Sequence, residues 1–422
     1  MIPRKGEPAA PPPNHLFRAR RRVTGSIFAG VALGHTAVFA AFTVAPLAVV
    51  EATGSSALSG LPGATSVAGT AAGAALLSAV MARRGRRAGL LVGYVLGVVG
   101  SGLGVVAVAR ASLVLLVGAM GLVGMGHGAN QLARFAAADA QPSARRATVL
   151  SWVVWAGTIG AVSGPSLLRP FELAADALGR PGLAGGFLVA VAFYCGAAAV
   201  CTLWLRPDPS ALAEDEPPAP GTPSPETAPG SPWTLPRVRI AVLALVSAQV
   251  AMVLVMTLTP VHIHEAGHAL RVVGFVMSAH FVGMYGLAPV AGWLGDRLGR
   301  IPVALAGLGM LAVASLGAAL SPAAASGLLG LWLWVLGTGW SFAFVAGSAL
   351  LTSGFSIPER TLLQGRVDTV VWSASAVASL SSGALVAVAG YRVLCLVGAL
   401  AVLGPTALIA ARRRAAPAER VA

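Results

Sequence analysis

Long apolar runs alternate with short breaks rich in Arg, Pro or Gly along almost the whole chain. A helix that crosses the hydrocarbon core of a bilayer needs about 20 largely apolar residues. Twelve runs meet that length: 25–48, 59–80, 88–109, 112–136, 148–169, 184–206, 237–260, 271–293, 301–320, 325–352, 365–388 and 391–411. The one long break, 207–236, is rich in Pro, Ser and acidic residues and has too little apolar content to build a core. It leaves six spans on each side. The pattern predicts an all-α polytopic membrane protein with twelve transmembrane helices in two six-helix bundles, 25–206 and 237–411. The tails are 1–24 and 412–422, and 207–236 is the linker.

Composition removes the soluble alternatives. Of 422 residues, 56% are hydrophobic and 10% charged, and the mean hydropathy is +0.79. A soluble domain carries about 25% charged residues, so lipid must cover most of this surface. The net charge of +14 does not indicate nucleic-acid binding, because the base is nearly all arginine (Lys5 is the single lysine) and lies between apolar runs. With twelve crossings both termini share one side. That side carries 24 of the 29 basic residues, counting those at adjoining helix ends; the other has Arg110, Arg169, Arg180, Arg271 and Arg392. Positive residues stay inside, so both termini are expected to be cytoplasmic. Cys195, Cys201 and Cys395 fall in apolar runs without zinc-ligand spacing, and no disulfide is expected. The basic, Pro-rich start lacks a short apolar core followed by a cleavage site, so a removable signal peptide is not expected. Abundant Ala, Gly, Val and Arg resemble a GC-rich bacterial coding bias, which points to a plasma membrane.

The two halves share a feature at equivalent places. Met81-Ala82-Arg83-Arg84-Gly85-Arg86-Arg87 follows the second span, and Gly292-Trp293-Leu294-Gly295-Asp296-Arg297-Leu298-Gly299-Arg300 follows the eighth. The second stretch resembles the GxLaDrxGRr loop signature of the major facilitator superfamily; the first resembles a degraded copy with Ala82 in the Asp position. Gly160-Ala-Val-Ser-Gly164-Pro165 in the fifth span resembles the GxxxGP motif of that superfamily's antiporters. The Arg that the superfamily carries early in the fourth span is replaced by Met120. The resemblance implies two pseudo-symmetric bundles that rock around a midplane site, and a half-to-half interface near Gly160, Gly164 and Pro165. It also implies a latch on the cytoplasmic side. An aspartate is favoured at a helix N-terminus, so Asp296 is expected on the start of the fifth span, near Arg145 and Arg146. A purely folding role for that aspartate is the alternative. In the first half Arg83, Arg86 and Arg87 are expected to meet Glu359 or Asp368.

Ionisable residues at membrane depth are functional suspects. His35, His127 and His280 fall near mid-span, with no carboxylate expected at that depth. Helical spacing aligns His35 with Phe39; His127 with Asn130, Gln131 and Arg134; Gln249 with Met252 and Met256; and Asp368 with Trp372. The resemblance implies that spans 1, 4, 7 and 10 line the cavity, which adds Trp340 and Phe344. Aromatic, Met and amide groups suit an amphipathic organic solute better than a sugar or an ion. Each histidine could instead bridge helices, most readily His280. A histidine could also carry the coupling proton in place of a carboxylate.

A second cluster, His262, His264, Glu265 and His268, lies in the loop after the seventh span. Its spacing matches no zinc signature, and hydrogen bonds closing an outer gate, involving Glu51, are preferred to a metal. No phosphate-cradling loop and no paired nucleophile and base are present at membrane depth, so an intramembrane enzyme and direct ATP use are disfavoured. The expectation is a secondary active transporter without cofactor, a monomer in the plasma membrane. It would export a small amphipathic solute with protons as coupling ion. Uptake of a nutrient, vitamin or metabolite is the first alternative, and a non-transporting sensor is a remote one.

Overall fold

The computed structural model describes residues 14–55, 58–213, 231–268, 270–322 and 325–415. Most of the linker and the outermost tails lie outside these residues. The helices are α1 (Asn14–Thr53), α2 (Leu61–Arg84), α3 (Arg86–Ala109), α4 (Leu113–Asp139), α5 (Arg146–Ser166), α6 (Leu168–Ala177), α7 (Ala184–Leu203), α8 (Pro236–Glu265), α9 (Leu270–Phe281), α10 (Ala288–Leu298), α11 (Arg300–Leu320), α12 (Ser326–Leu350) and α13 (Ile357–Ala415). Among the described residues, eleven helical stretches are long and apolar enough to cross a membrane. The last is two crossings in one, because Gly390 (φ 79°) breaks the 59-residue α13 at the expected boundary between the eleventh and twelfth spans. The result is a polytopic all-α membrane protein of twelve crossings.

The crossings depart from expectation in three places. The eighth is not one continuous helix: α9 and α10 are joined by a π-helical turn, Val282–Gly286, just before Pro289. Proline removes a backbone donor and the chain relaxes locally into a wider turn. The fifth crossing ends at Ser166, one residue after Pro165, and a separate ten-residue helix, α6, follows. The eleventh crossing starts at Ile357, well before residue 365, where the hydropathy pattern places its start. The polar first turns escape a hydropathy window but form helix all the same.

Small residues set how closely the helices pack. A Cβ at Gly124 would collide with the carbonyl of Ser66, so α4 lies backbone to backbone on α2. The second half repeats this: a Cβ at Gly337 would collide with the carbonyl of His280, joining α12 to α9. The tight turns also repeat. Gly85 (φ 88°, ψ 163°) and Gly299 (φ 90°, ψ 152°) hold nearly the same left-handed conformation at the starts of α3 and α11. Only glycine enters that region without strain, which explains the shared glycine in the two loop sequences.

The halves meet along two seams. α2 lies on α13, where Ser78 fills the space beside Gly365 and the Thr369 hydroxyl donates to the Ala71 carbonyl at 3.3 Å. α5 lies on α10, where a Cβ at Gly292 would collide with the Ser151 side chain.

Candidate functional site

The centre of the molecule is built where α1 and α4 of one half face α9, α12 and α13 of the other. His35 is buried, and its Nδ1 lies 3.0 Å from the Val31 carbonyl one turn back, which fixes the ring. It packs edge-on against His127 (ring centroids 5.3 Å) and faces Tyr285 of the other half at 6.2 Å. His127 in turn meets Trp372 of α13 edge-on at 5.5 Å. The Gln131 amide nitrogen lies 3.0 Å from His127 Nε2. An amide nitrogen only donates, so that ring nitrogen accepts.

Arg134 anchors this cluster. Its guanidinium donates to Asp368 Oδ1 at 2.6 Å, to Ser348 Oγ at 3.1 Å and to the Gln131 side-chain oxygen at 3.3 Å, and also to the Gln131 carbonyl. It is sandwiched between Phe135 and Phe344, each ring centroid 4.3 Å away. Phe344 stacks on Trp340 at 4.4 Å, whose indole nitrogen donates to Gln249 at 2.8 Å. Gln249 completes its pairing on Ser375 at 3.1 Å, so one amide ties α8, α12 and α13 together.

Two expectations are corrected here. A carboxylate does sit in the central cluster. Because α13 begins at Ile357, Asp368 lies about 16 Å along the helix, in contact with Arg134 rather than near its end. His280 does not face the cavity. Its Nδ1 lies 2.9 Å from the Leu333 carbonyl, bridging α9 to α12. Phe281, its neighbour, is the residue that turns inward, onto Phe39 at 5.8 Å.

The space left among His35, Asn130, Gln131, Arg134, Val153, Val154, Tyr285, Trp340 and Phe344 is about 20 Å³. That is room for one water. Nothing larger fits among these side chains as they are packed. Met252 is buried and Met256 half-buried, and neither lines this space. Among the described residues, several polar atoms in and beside the cluster are buried without a hydrogen-bond partner: both amide atoms of Asn130, His127 Nδ1, Asp368 Oδ2 and Trp372 Nε1. Buried polar groups are nearly always paired, so these atoms have capacity for a further partner. Sequence reasoning missed Tyr285, Val153 and Val154. The Gly-flanked aromatic just before Pro289 was the available signal for Tyr285; nothing distinguished the two valines.

The face carrying the termini is bridged across the halves. Asp296 accepts from the Thr148 amide and hydroxyl, both at 2.8 Å, and from the Ala147 amide at 3.3 Å, so it sits on the open N-terminus of α5. Arg146 donates across to the Thr352 carbonyl at 2.9 Å, whereas Arg300 donates within its own half, to the Ala349 carbonyl at 2.8 Å. Arg297 lies over the Trp293 ring at 4.5 Å, and Arg145 is exposed. In the first half Arg86 meets neither Glu359 nor Asp368. It pairs with Asp139 at 2.8 Å and donates to Gln364 of α13 at 2.6 Å. Asp139 also pairs with Arg360 of α13 at 2.8 Å. Asp139 ends α4 directly over this seam, whereas Glu359 is used locally, accepting from the Ser356 amide and hydroxyl. Arg87 holds the end of α7 through the Cys201 and Thr202 carbonyls, and Arg83 is exposed. The amides of Arg86 and Arg87 are capped by Asp208, a carboxylate at the start of the linker.

Gly160 and Gly164 do not form the interface between halves. They pack on His35, Thr36, Phe39 and Ala40 of α1 in their own half. Gly157, one turn earlier, is the glycine that receives Tyr285 from the other half. On the opposite face α8 runs on to Glu265, so His262, His264 and Glu265 are helical and not in a loop; His262 stacks on Tyr391 at 4.1 Å, while His264 and Glu265 are exposed and His268 is half-buried. Glu51 is exposed, and among the described residues no hydrogen bond or ion pair joins it to this cluster. Among the described residues no three of His, Cys, Asp and Glu are grouped as a metal site.

The sequence profile of the Major Facilitator Superfamily matches residues 27–274 and 240–421. This chain belongs to the major facilitator superfamily. It is 33% identical over 397 residues to the uncharacterized MFS-type transporter YddS of Bacillus subtilis (strain 168), covering 92% of this chain and 89% of that one. It is 34% identical over 381 residues to YdeG of the same organism, covering 89% and 86%. The riboflavin transporter RfnT of Brucella anthropi is 28% identical over 310 residues, covering 71% and 73%. Among solved structures, the human organic anion transporter MFSD10 shares the fold with a TM-score of 0.71 at 17% identity, covering 95% of this chain and all of that one. The proton:xylose symporter XylE has the same TM-score at 19% identity, covering 94% and 96%. The chain thus has the fold and the relatives of a multi-pass membrane transporter.

Proposed function

We propose that the protein carries a small amphipathic, aromatic-containing organic solute across the plasma membrane by alternating access, as a monomer with both termini cytoplasmic and with protons as the coupling ion. The observation that carries this reading is the buried cluster at the meeting of the halves: the Arg134–Asp368 ion pair among aromatic rings, with orphaned polar atoms on both sides. Aromatic faces hold a planar solute by stacking, and a few fixed polar groups orient it. An ion pair that joins the halves can be broken by protonation of Asp368 or by a solute that competes for Arg134. Either event loosens one state relative to the other, which is what coupling requires.

Export is the proposed direction, supported by the likeness of Gly160–Pro165 to the antiporter motif. A second reading, uptake of a vitamin-like heterocycle, is favoured by the relative RfnT and by the aromatic lining. The test is a ligand-stability screen on the purified protein that includes flavins, followed by flux in proteoliposomes under an imposed pH gradient of either sign. Export coupled to proton entry requires solute to accumulate on the acidic side; accumulation on the alkaline side supports the uptake reading, and no gradient dependence refutes proton coupling.

A further inference from the structure

A groove of about 560 Å³ lies away from the central site, between α1 and α7 at the face carrying the termini. Arg18, Arg21, Arg22, Gly25, Ala29 and Trp204 line it. Spacings of three, four, seven and eleven place the five α1 residues on one side of that helix. The three arginines are exposed, and Trp204 is 52% exposed. Arg22 Nε donates to the Trp204 carbonyl at 3.1 Å, fixing one guanidinium across the gap. Below them the wall is bare: a Cβ at Gly25 would meet nothing within 4 Å.

Depth decides what fits. The apolar part of α1 begins at Val23. At about 1.5 Å per residue, the arginines lie within about 8 Å outside that point, the thickness of a headgroup layer. Gly25 and Ala29 lie about 3 and 9 Å from it along the helix on the apolar side, at the start of the first span. Tryptophan favours the boundary between the two. Three like charges within two turns repel one another, and an anion among them relieves that repulsion.

The geometry points to a binding site for an anionic phospholipid. Its phosphate sits among Arg18, Arg21 and Arg22, and one acyl chain runs down the groove over Gly25 and Ala29. A free phosphate would use only the upper, charged part. A zwitterionic lipid brings its own cation to the arginines and gains less.

Native mass spectrometry and thermal stability of the full chain in nonionic detergent test this. The probes are phosphatidylglycerol, phosphatidylcholine with the same chains, and inorganic phosphate. Phosphatidylglycerol is expected to bind and raise Tm well beyond the other two. Arg18→Gln with Arg21→Gln weakens that binding about tenfold or more, since each basic residue near the surface contributes about a factor of five. The control pair Arg84→Gln with Arg239→Gln, exposed arginines elsewhere in the chain, changes it less than twofold. Gly25→Leu, which fills the lower groove and keeps every charge, also weakens lipid binding and leaves any phosphate effect intact. Equal binding of phosphatidylcholine, equal loss in the control pair, or lipid binding unmoved by Gly25→Leu would overturn the site.

Discussion

Arg134 and Asp368 form a 2.6 Å ion pair that runs from α4 to α13 and joins the two halves inside the membrane, with the arginine 1% and the aspartate 0% exposed. Removing one partner of such a pair leaves an uncompensated buried charge, at a cost of about 3–5 kcal/mol, whereas replacing both with apolar residues is close to neutral. Arg134→Met should therefore lower thermal stability sharply in detergent. Arg134→Met with Asp368→Leu should recover most of the loss and still fail to transport, which separates the pair's role in the cycle from its role in folding.

Asp296 takes three donors from the start of α5 in the other half, a contact that exists only while the halves are together on the termini face. Losing a helix-capping acceptor costs about 1 kcal/mol. Asp296→Asn should slow transport modestly, and Asp296→Arg should abolish it with normal membrane insertion. Flux in proteoliposomes beside quantified insertion measures both; wild-type flux in Asp296→Arg would contradict the latch.

Two glycines at close helix contacts should respond differently. Gly160 packs on α1 within its own half, so Gly160→Val should destabilise the bundle itself by roughly 1–3 kcal/mol through overpacking. Gly292 meets Ser151 and Ala147 of the other half. Gly292→Val should spare stability and hold the termini face open, seen as faster thiol labelling of a cysteine placed at Ser151.

Two tryptophans at the centre differ in pairing. Trp340 donates to Gln249, and Trp372 has a buried indole nitrogen without a partner. Trp340→Phe strands the Gln249 carbonyl and should cost about 1–3 kcal/mol of stability. Trp372→Phe should leave stability unchanged and weaken solute binding about fivefold, measured by titration of the purified variants. A stability loss in Trp372→Phe with unchanged affinity would remove it from the solute site.

Much of the fold was legible because lipid imposes a simple rule on span length. The twelve crossings, the break near Gly390 and the paired loops around Gly85 and Gly299 all follow from runs and punctuation. The position of Asp296 on α5 was legible too, because a helix N-terminus attracts an anion. The central site was legible only in part. His35, His127, Gln131, Arg134 and Trp340 stand out as polar or aromatic residues at membrane depth, but partners separated by more than two hundred residues do not. Asp368 was misplaced because hydropathy underestimates a helix with polar first turns. Asp139 and Arg360 meet Arg86 through tertiary placement that no spacing encodes. His280 looks like His35 in sequence, and only the nearby Leu333 carbonyl distinguishes it.

The most direct test compares gradient-driven accumulation with solute exchange in proteoliposomes for Asp368→Asn, His35→Gln and His127→Gln. In the proposed cycle exchange needs only rocking around an occupied site, while accumulation needs the proton. With flux normalised to the amount of folded protein, because Asp368→Asn leaves Arg134 unpaired, the expected result is that Asp368→Asn keeps exchange and loses accumulation, and that both histidine variants keep accumulation. Full accumulation by Asp368→Asn would contradict the account.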